Sequence, residues 1–233
     1  EINLRNLDKY NLNTKSKRNQ SGSGSAFYVG ENIWITARHV INDCSEVYLK
    51  DGSNRKFIEK ILIHPNSDLA LFKYNSFDIK NFNIAQKISE KSFSSGYPAG
   101  NPGDAALQLL GFMAMEARSY NILEKHSIYA VLDKNPRNLL SFGGLSGGPT
   151  FDDYGLINGV VVAEFKRRGL IGAVGLNQIN WLIEASNKEV EFFDKISKIN
   201  DNAIKLDKID KNYIKIGNEL RKSKSISKIV CIA

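Results

Sequence analysis

The sequence predicts an all-β protein, arranged as a barrel or a sandwich, with a helical extension at its C-terminal end. Short runs rich in β-branched and aromatic residues follow one another from residue 26 onward, and turn signals such as Gly30-Glu31-Asn32 and Asp51-Gly52 separate them. Segments with helical periodicity do not alternate with these runs before Leu176. This order of elements argues against βαβ units and a parallel sheet.

The first predicted β unit spans residues 21–90 and follows a polar segment, residues 1–20, that is predicted to form an arm or a short helix docked on the body. Its candidate strands lie at residues 26–29, 33–36, 47–50, 57–63 and 69–72. The loop that begins at His64-Pro65 separates the last two of them. Two close hairpins and a further strand are enough to build one small β unit.

The second predicted β unit spans residues 91–186 and is similar in size to the first. Its candidate strands lie at residues 93–100, 107–116, 127–132, 139–142, 156–165 and 170–174. Apolar residues at Ile179, Leu182 and Ile183 then take up helical spacing, which predicts a closing helix.

Residues 187–233 are predicted to form a lysine-rich helical tail. Apolar residues recur in steps of three and four from Phe192 to Leu220, as on one face of an amphipathic helix. This face either packs back onto the β units or serves as an oligomerisation or relay helix for a homo-oligomer or a fused regulatory partner, and the pattern leaves both open. Residues 223–233 are interpreted as a frayed end.

The composition is that of a globular chain, with 42% hydrophobic residues among 233 and a net charge of +7. Much of the positive excess lies in the terminal segments and accompanies no nucleic-acid motif, so we interpret it as a solvated charged face. Apolar runs are too short to span a bilayer. Cys44 and Cys231 form neither a disulfide framework nor a metal motif, and two free thiols slightly favour a cytoplasmic over a secreted setting. No cofactor is predicted.

The glycine-rich stretch Gly143-Gly144-Leu145-Ser146-Gly147-Gly148-Pro149 is the first candidate for chemistry. Glycine permits tight turns and close approach, and a hydroxyl flanked by exposed backbone N–H groups suits a nucleophile with an oxyanion hole. A glycine-rich hairpin loop with an incidental serine is the alternative, and the heptapeptide alone does not decide between them.

Two further residues precede Ser146 in a suggestive order, namely His39 after the second strand and Asp68 before the strand 69–72. A neutral imidazole can take the proton of a serine hydroxyl, and a buried carboxylate can fix the tautomer of that imidazole. Taken singly, each could be a structural residue, but together they favour catalysis. His64 is the rival base because it lies four residues before Asp68, and we expect both His64 and His126 to face solvent.

The chain resembles the chymotrypsin-fold serine peptidases, and is most similar to those of the Deg/HtrA type. The matching pieces occur in the family's order at residues 23–27, 35–40, 67–71, 95–100 and 144–149. The resemblance implies two six-stranded antiparallel β-barrels with the active site in the cleft between them. It also implies that His39 and Asp68 come from the first barrel and Ser146 from the second, with an oxyanion hole formed by the N–H groups of Gly144 and Ser146.

The implied activity is that of a serine endopeptidase acting on polypeptide substrates through an acyl-enzyme. Its implied substrate-binding residues are Leu140, Ser141, Val161, Val162 and Ala163. With Leu140 at the floor of the specificity pocket, we expect a small or medium apolar residue before the scissile bond. Glu164 would favour a basic residue instead if its side chain turned inward. The backbone of residues 161–163 is expected to pair with an extended substrate.

Leu145 departs from the pattern of the digestive members of the family, in which an aspartate at this position pairs with a freed N-terminus. A leucine cannot form that ion pair, so activation by this route is not expected. A catalytically dormant module that binds peptides, or that a partner switches on, is the alternative function. An esterase of the α/β-hydrolase type would need a helix after Ser146, whereas Pro149 and a strand pattern follow.

Overall fold

The structure is a computed structural model that describes residues 9–11, 20–75, 78–188, 202–209 and 211–233. Its strands are β1 Lys9–Asn11, β2 Gly22–Gly30, β3 Ile33–Ala37, β4 Glu46–Asp51, β5 Asn54–Phe57, β6 Ile61–Ile63, β7 Leu69–Lys73, β8 Lys91–Gly96, β9 Gly103–Ala117, β10 Ile122–Asn135, β11 Pro149–Phe151, β12 Ile157–Phe165, β13 Leu170–Val174 and β14 Ile226–Ile232. Its α-helices are α1 Arg38–Ile41, α2 Leu176–Lys188 and α3 Tyr213–Lys222.

The strands form two sheets, as the predicted all-β class requires. One sheet has the order β1-β9-β10-β13-β12-β11-β8, and a further pairing of β8 with β9 closes six of its strands into an antiparallel barrel. The other has the order β5-β4-β14-β2-β3-β7-β6 and forms a half-barrel. The two-barrel architecture is therefore confirmed, although the first unit is a seven-stranded half-barrel instead of a closed six-stranded one.

The predicted strands differ from the observed ones mainly in the second unit. β9 and β10 are longer than expected and pair with each other along almost their whole length, with two bulges. Residues 139–142, predicted as a strand, form a loop instead. Residues 9–11 form a strand that pairs in parallel with β9, which agrees with a docked arm and not with a short helix at these residues. The rest of residues 1–19 lies outside the described residues.

The C-terminal segment ends in a strand, so the prediction of a frayed end at residues 223–233 is wrong. β14 inserts between β2 and β4 of the half-barrel, and its residues alternate between buried and partly exposed positions. Helix α3 buries Tyr213, Ile216 and Leu220, and it packs back onto strands of both sheets. Those apolar side chains are thus unavailable for an oligomer interface, and the predicted stripe at residues 192–199 lies outside the described residues.

Cys44 and Cys231 form a disulfide, which corrects the expectation of two free thiols. β14 pairs with β4 so that Cys231 lies opposite Val47, close to the start of β4, and the Cα atoms of the two cysteines are 5.4 Å apart. Because the two cysteines form a disulfide, the reason for favouring a reducing compartment no longer holds. In the described part of the chain, no helix combines the length and the apolar character needed to cross a membrane.

A buried ion pair fixes α3 to the closed barrel. Arg221 donates from Nη1 to Oδ1 of Asp104 at 2.7 Å and from Nη2 to Oδ2 at 2.9 Å, and the Asp104 side chain is fully buried. Removing one partner of a buried pair leaves an uncompensated charge, so the Arg221→Ala variant is expected to lose about 3–5 kcal/mol of unfolding free energy. Urea denaturation measures this loss.

The matched control for that variant is Lys215→Ala, which removes a solvent-exposed partner from the same helix. The Lys215–Glu219 pair spans 4.0 Å with both side chains exposed, and exposed pairs of this kind contribute about 0.3–0.5 kcal/mol. Equal denaturation midpoints for the two variants would contradict an anchoring role for the Arg221–Asp104 pair.

Candidate active site

The His39 side chain stands just beyond the end of β3, in the single-turn helix α1. β3 pairs with β7 so that Ala37 lies opposite Leu69, which brings α1 beside the residue preceding β7. That residue is Asp68, and its backbone carbonyl accepts a hydrogen bond of 3.1 Å from the N–H of Arg38. Strand pairing within the half-barrel therefore brings together the predicted histidine and aspartate.

Two hydrogen bonds join His39 to the carboxylate of Asp68. The backbone N–H of His39 donates to Oδ1 at 2.8 Å, and Nδ1 of the ring lies 2.6 Å from Oδ2. Asp68 is fully buried, whereas 25% of the His39 side chain is exposed. Because an ionised carboxylate only accepts hydrogen bonds, a neutral His39 carries its proton on Nδ1 and keeps a lone pair on Nε2. An imidazole in this state is suited to accept the proton of a hydroxyl group.

Ser146 lies in a glycine loop whose backbone bends sharply on both sides of it. Gly144 has φ of +95° and Gly147 has φ of +83°, values that other residues adopt only with strain. The N–H of Leu145 donates to the carbonyl of Phe142 at 2.7 Å, which closes the turn before the serine. The glycines of the predicted motif thus set the loop conformation that presents Ser146.

The Ser146 loop of the closed barrel lies directly against the half-barrel. The N–H of Ser25 in β2 donates to the carbonyl of Ser146 at 2.8 Å. A Cβ atom at Gly147 would stand 2.8 Å from the backbone N of Ala37 and would overlap the Thr36 hydroxyl. Only glycine fits there, and the contact places Ser146 beside the strand end that leads into His39.

The backbone N–H groups of the loop divide into two sets. Among the described residues, those of Leu145, Gly147 and Gly148 have intramolecular acceptors, whereas those of Gly144 and Ser146 have none. The carbonyl of Gly144 accepts a hydrogen bond of 2.9 Å from Oγ of Ser25, so it is held by the half-barrel. Two unengaged N–H groups flanking a serine are suited to bind an oxygen that becomes negatively charged.

The segment before the serine borders a cavity of about 390 Å³. Leu140 is 84% exposed, so it does not form the apolar floor that the sequence predicts. The Glu164 carboxylate turns inward instead and accepts hydrogen bonds from Oγ of Ser141 at 2.7 Å and from the N–H of Phe142 at 3.0 Å. These contacts remove the reason for expecting an apolar pocket.

The predicted substrate-pairing segment, residues 161–163, lies in β12 with its side chains buried. The N–H of Val161 donates to the carbonyl of Gly148 at 2.9 Å, and its carbonyl accepts from the N–H of Gly147 at 2.7 Å. Val161 therefore anchors the serine loop, and its backbone is not available to a substrate. For Val162 and Ala163, pairing with a substrate stays a prediction.

The other two histidines are buried, which corrects the expectation that they face solvent. His64 is 6% exposed, accepts a hydrogen bond at Nδ1 from the N–H of Asn66 at 3.1 Å and packs against Trp181. Burial lowers the pKa of His64, with the Glu124 carboxylate opposing the shift and Arg38 adding to it. His126 is fully buried, with Nε2 3.1 Å from Oε1 of Glu124.

Sequence reasoning did not assign two residues that hold the site together. Oγ of Ser25 bridges the two units, since it donates to Gly144 and accepts from the N–H of Tyr97 at 2.9 Å. Ser25 lies in a matched motif but is not among the predicted site residues. Glu124 accepts hydrogen bonds from Ser67 and Asp68, and a contact spanning 56 residues leaves no local signal.

Leu145 is fully buried in an apolar cluster of the closed barrel. An apolar side chain in apolar surroundings thus stands where the digestive peptidases carry an aspartate. Residues 1–8 lie outside the described residues, so the expectation that the N-terminus does not activate the site stays a prediction.

Comparison with known proteins places this geometry in a family. The model of the trypsin-like peptidase domain matches residues 24–160, which include His39, Asp68 and Ser146. The chain belongs to the trypsin-like peptidase family. The match covers strands of both sheets and ends within β12.

The individual relatives are distant. Protease Do-like 2, chloroplastic, from Arabidopsis thaliana is 27% identical over 168 residues, which are 67% of this chain and 26% of that protein. The chain thus spans about a quarter of this relative. The Rv3671c protease from M. tuberculosis in its active form has a TM-score of 0.57 at 15% identity, covering 77% of each chain. The HtrA-type protease AlgW, solved with a tripeptide, has a TM-score of 0.54 at 14% identity, covering 73% of this chain and 60% of that one. Both structural matches support the two-barrel fold.

Proposed function

We propose that the chain is a serine endopeptidase that hydrolyses peptide bonds through an acyl-enzyme on Ser146. The observation that carries this proposal is the two-point contact of His39 with the buried carboxylate of Asp68, beside a glycine loop that presents a serine. Membership of the trypsin-like peptidase family supports the same reaction class.

In the proposed mechanism, Oγ of Ser146 attacks the scissile carbonyl carbon while Nε2 of His39 takes the hydroxyl proton. Asp68 keeps the other ring proton on Nδ1 and stabilises the imidazolium that forms. The N–H groups of Gly144 and Ser146 bind the oxyanion of the tetrahedral intermediate, where losing one donor costs about 3–4 kcal/mol. His39 then protonates the leaving amine, and a water molecule, activated by the same imidazole, hydrolyses the acyl-enzyme.

We propose a basic residue before the scissile bond, in place of the apolar residue expected from the sequence. Glu164 extends from β12 toward the loop before Ser146, and it brings a carboxylate to the cavity that Ser141 and Phe142 also line. Other charged residues also line this cavity, namely Asp133, Lys134, Arg137 and Lys166. Arg137 and Lys166 are exposed to solvent, so their charges are better screened, and Nζ of Lys134 donates to the carbonyl of Leu139 at 2.6 Å. The partly buried carboxylate can accept a further hydrogen bond from a lysine or arginine side chain.

The Glu164→Gln variant should therefore lose selectivity for basic residues. The change removes the charge but keeps the shape, so we expect the ratio of kcat/KM for lysine over alanine before the scissile bond to fall by about 10- to 100-fold. Two peptide substrates that differ only at that residue measure the ratio. Glu184→Gln in the exposed face of α2 is the control. An unchanged ratio in Glu164→Gln would exclude Glu164 as the selectivity residue.

A dormant peptide-binding module is the second candidate, and an assay on an unfolded, fluorescently labelled polypeptide separates the two. Under the first proposal, the wild-type chain produces fragments and the Ser146→Ala variant produces none. If the wild-type chain binds the polypeptide without producing fragments, the binding module becomes the better account.

A further inference from the structure

The carboxylate of Glu124 joins the closed barrel to the segment that carries Asp68. Glu124 lies in β10 and is 4% exposed. Its Oε1 accepts a hydrogen bond of 2.9 Å from the backbone N–H of Asp68, and its Oε2 accepts one of 2.6 Å from Oγ of Ser67. Ser67 and Asp68 are themselves fully buried, so these contacts are shielded from water. One side chain of the second unit thus holds two consecutive residues of the first.

Glu124 holds the segment before β7 in addition to its local hydrogen bonds, which run from the N–H of His64 to the carbonyl of Leu69 and from the N–H of Asn66 to Nδ1 of His64. The preceding residues Pro65 and Asn66 are exposed, and the regular pairing of β7 with β3 begins only at Leu69. Without the Glu124 carboxylate, the N–H of Asp68 and the hydroxyl of Ser67 would be buried without acceptors, which destabilises their present positions. The Glu124 carboxylate satisfies both and fixes the backbone from which the Asp68 side chain extends toward His39.

His126 supports Glu124 from behind. The two residues lie on the same face of β10, because side chains two apart in a strand point the same way. The His126 ring is fully buried, and its Nε2 is 3.1 Å from Oε1 of Glu124, although the N–H direction is not aligned for a hydrogen bond. The Glu124 side chain is therefore confined between His126 and the Asp68 segment.

We propose that Glu124 is a positioning residue for the peptidase site: it sets the Asp68 carboxylate against His39 without touching substrate. This inference rests on the proposed function. Through the contact of Glu124 with Ser67 and Asp68, the barrel that carries Ser146 also positions Asp68. The pairing of β3 with β7 brings the two residues together, and the contact with Glu124 in the other unit then fixes the orientation of Asp68.

The test compares three substitutions of Glu124 in the full chain. In Glu124→Ala both acceptors are lost, and a displacement of about 1 Å in a catalytic group costs about 100-fold in rate, so we expect kcat to fall by about that factor with KM unchanged. Glu124→Asp keeps the charge but shortens the side chain, so its kcat should also fall. This variant provides the measurement if Glu124→Ala does not fold. In Glu124→Gln the amide oxygen can accept from Asp68 and the amide N–H can donate to Ser67, so kcat should stay within about threefold of wild type.

The control is Asn158→Ala, which removes a buried hydrogen bond of 2.8 Å to Ser92 within the closed barrel and away from Asp68. It should lower the melting temperature without lowering kcat of the folded protein. A kcat in the folded Glu124→Ala and Glu124→Asp variants equal to that of wild type would overturn the proposal. So would a loss in Glu124→Gln as large as that in Glu124→Ala, because the amide keeps both hydrogen-bond contacts.

A second measurement separates this inference from the proposed function. The Nδ1 proton of His39, hydrogen-bonded to Asp68, gives a downfield NMR signal that does not depend on turnover. We expect the signal in the wild type, Glu124→Gln and Asn158→Ala, and its loss in Glu124→Ala. If the wild-type chain cleaves nothing but the signal follows this pattern, the positioning role stands and the peptidase proposal fails. If cleavage occurs and the signal persists in Glu124→Ala, the positioning role is wrong.

Discussion

Replacing Ser146 with alanine is expected to lower kcat for a peptide substrate by about six orders of magnitude, as removal of the nucleophile does in other triad hydrolases. The physical reason is that the Oγ atom forms the bond to the acyl group, and no other hydroxyl shares the glycine loop. Steady-state kinetics with a chromogenic peptide measures the loss, and the exposed Ser53→Ala in the β4–β5 turn is the control.

A double variant tests whether His39 and Ser146 act together, because the effects of substitutions in a catalytic triad on kcat are not additive. If His39 activates Ser146, the double variant His39→Ala/Ser146→Ala should be about as slow as either single variant, since the residues act as one unit. Multiplicative losses would show that the histidine and the serine contribute independently, which contradicts the mechanism proposed for this site.

Replacing Asp68 with asparagine is expected to lower kcat by about four orders of magnitude while the protein stays folded. An asparagine amide can donate a hydrogen bond to Nδ1 of His39, which moves the ring proton to Nε2 and removes the lone pair that takes the serine proton. Because Nδ1 lies 2.6 Å from Oδ2 of Asp68, an amide N–H at that position would lie within hydrogen-bond distance of the ring.

Kinetics at neutral pH, with circular dichroism to confirm folding, measures the effect of Asp68→Asn. A second carboxylate lies close by in Glu124, but its two oxygens already accept hydrogen bonds from Ser67 and from the backbone of Asp68. It is therefore not expected to compensate. A folded Asp68→Asn variant with kcat within tenfold of wild type would show that the tautomer of His39 is not controlled by Asp68.

The contact of His39 with Asp68 and the sharp turn around Ser146 follow from local patterns in the sequence. His39 follows a hydrophobic strand and Asp68 precedes another, so hairpin and turn signals are enough to place both at strand ends that pair in the half-barrel. The glycines around Ser146 identify a strained turn because Gly144 and Gly147 need positive φ. Each of these signals lies within a few residues of the side chain it predicts.

The parts that the sequence does not predict depend on contacts between distant segments. The sequence predicts a frayed end at residues 223–233, yet β14 pairs with β2, which lies about 200 residues earlier in the chain. The Cys44–Cys231 bond, with a separation of 187 residues, follows from the same insertion. Leu140 is exposed and Glu164 turns inward because the loop before Ser146 packs against β12, which comes later in the chain.

The most direct test of the central claim is covalent labelling with a fluorophosphonate, which reacts with a serine hydroxyl only when a neighbouring base activates it. We predict that the folded wild-type chain takes up one probe molecule, that peptide mass spectrometry locates it on Ser146, and that Ser146→Ala and His39→Ala remain unlabelled. Absence of labelling in the folded wild-type chain, or an adduct on any residue other than Ser146, would contradict the account.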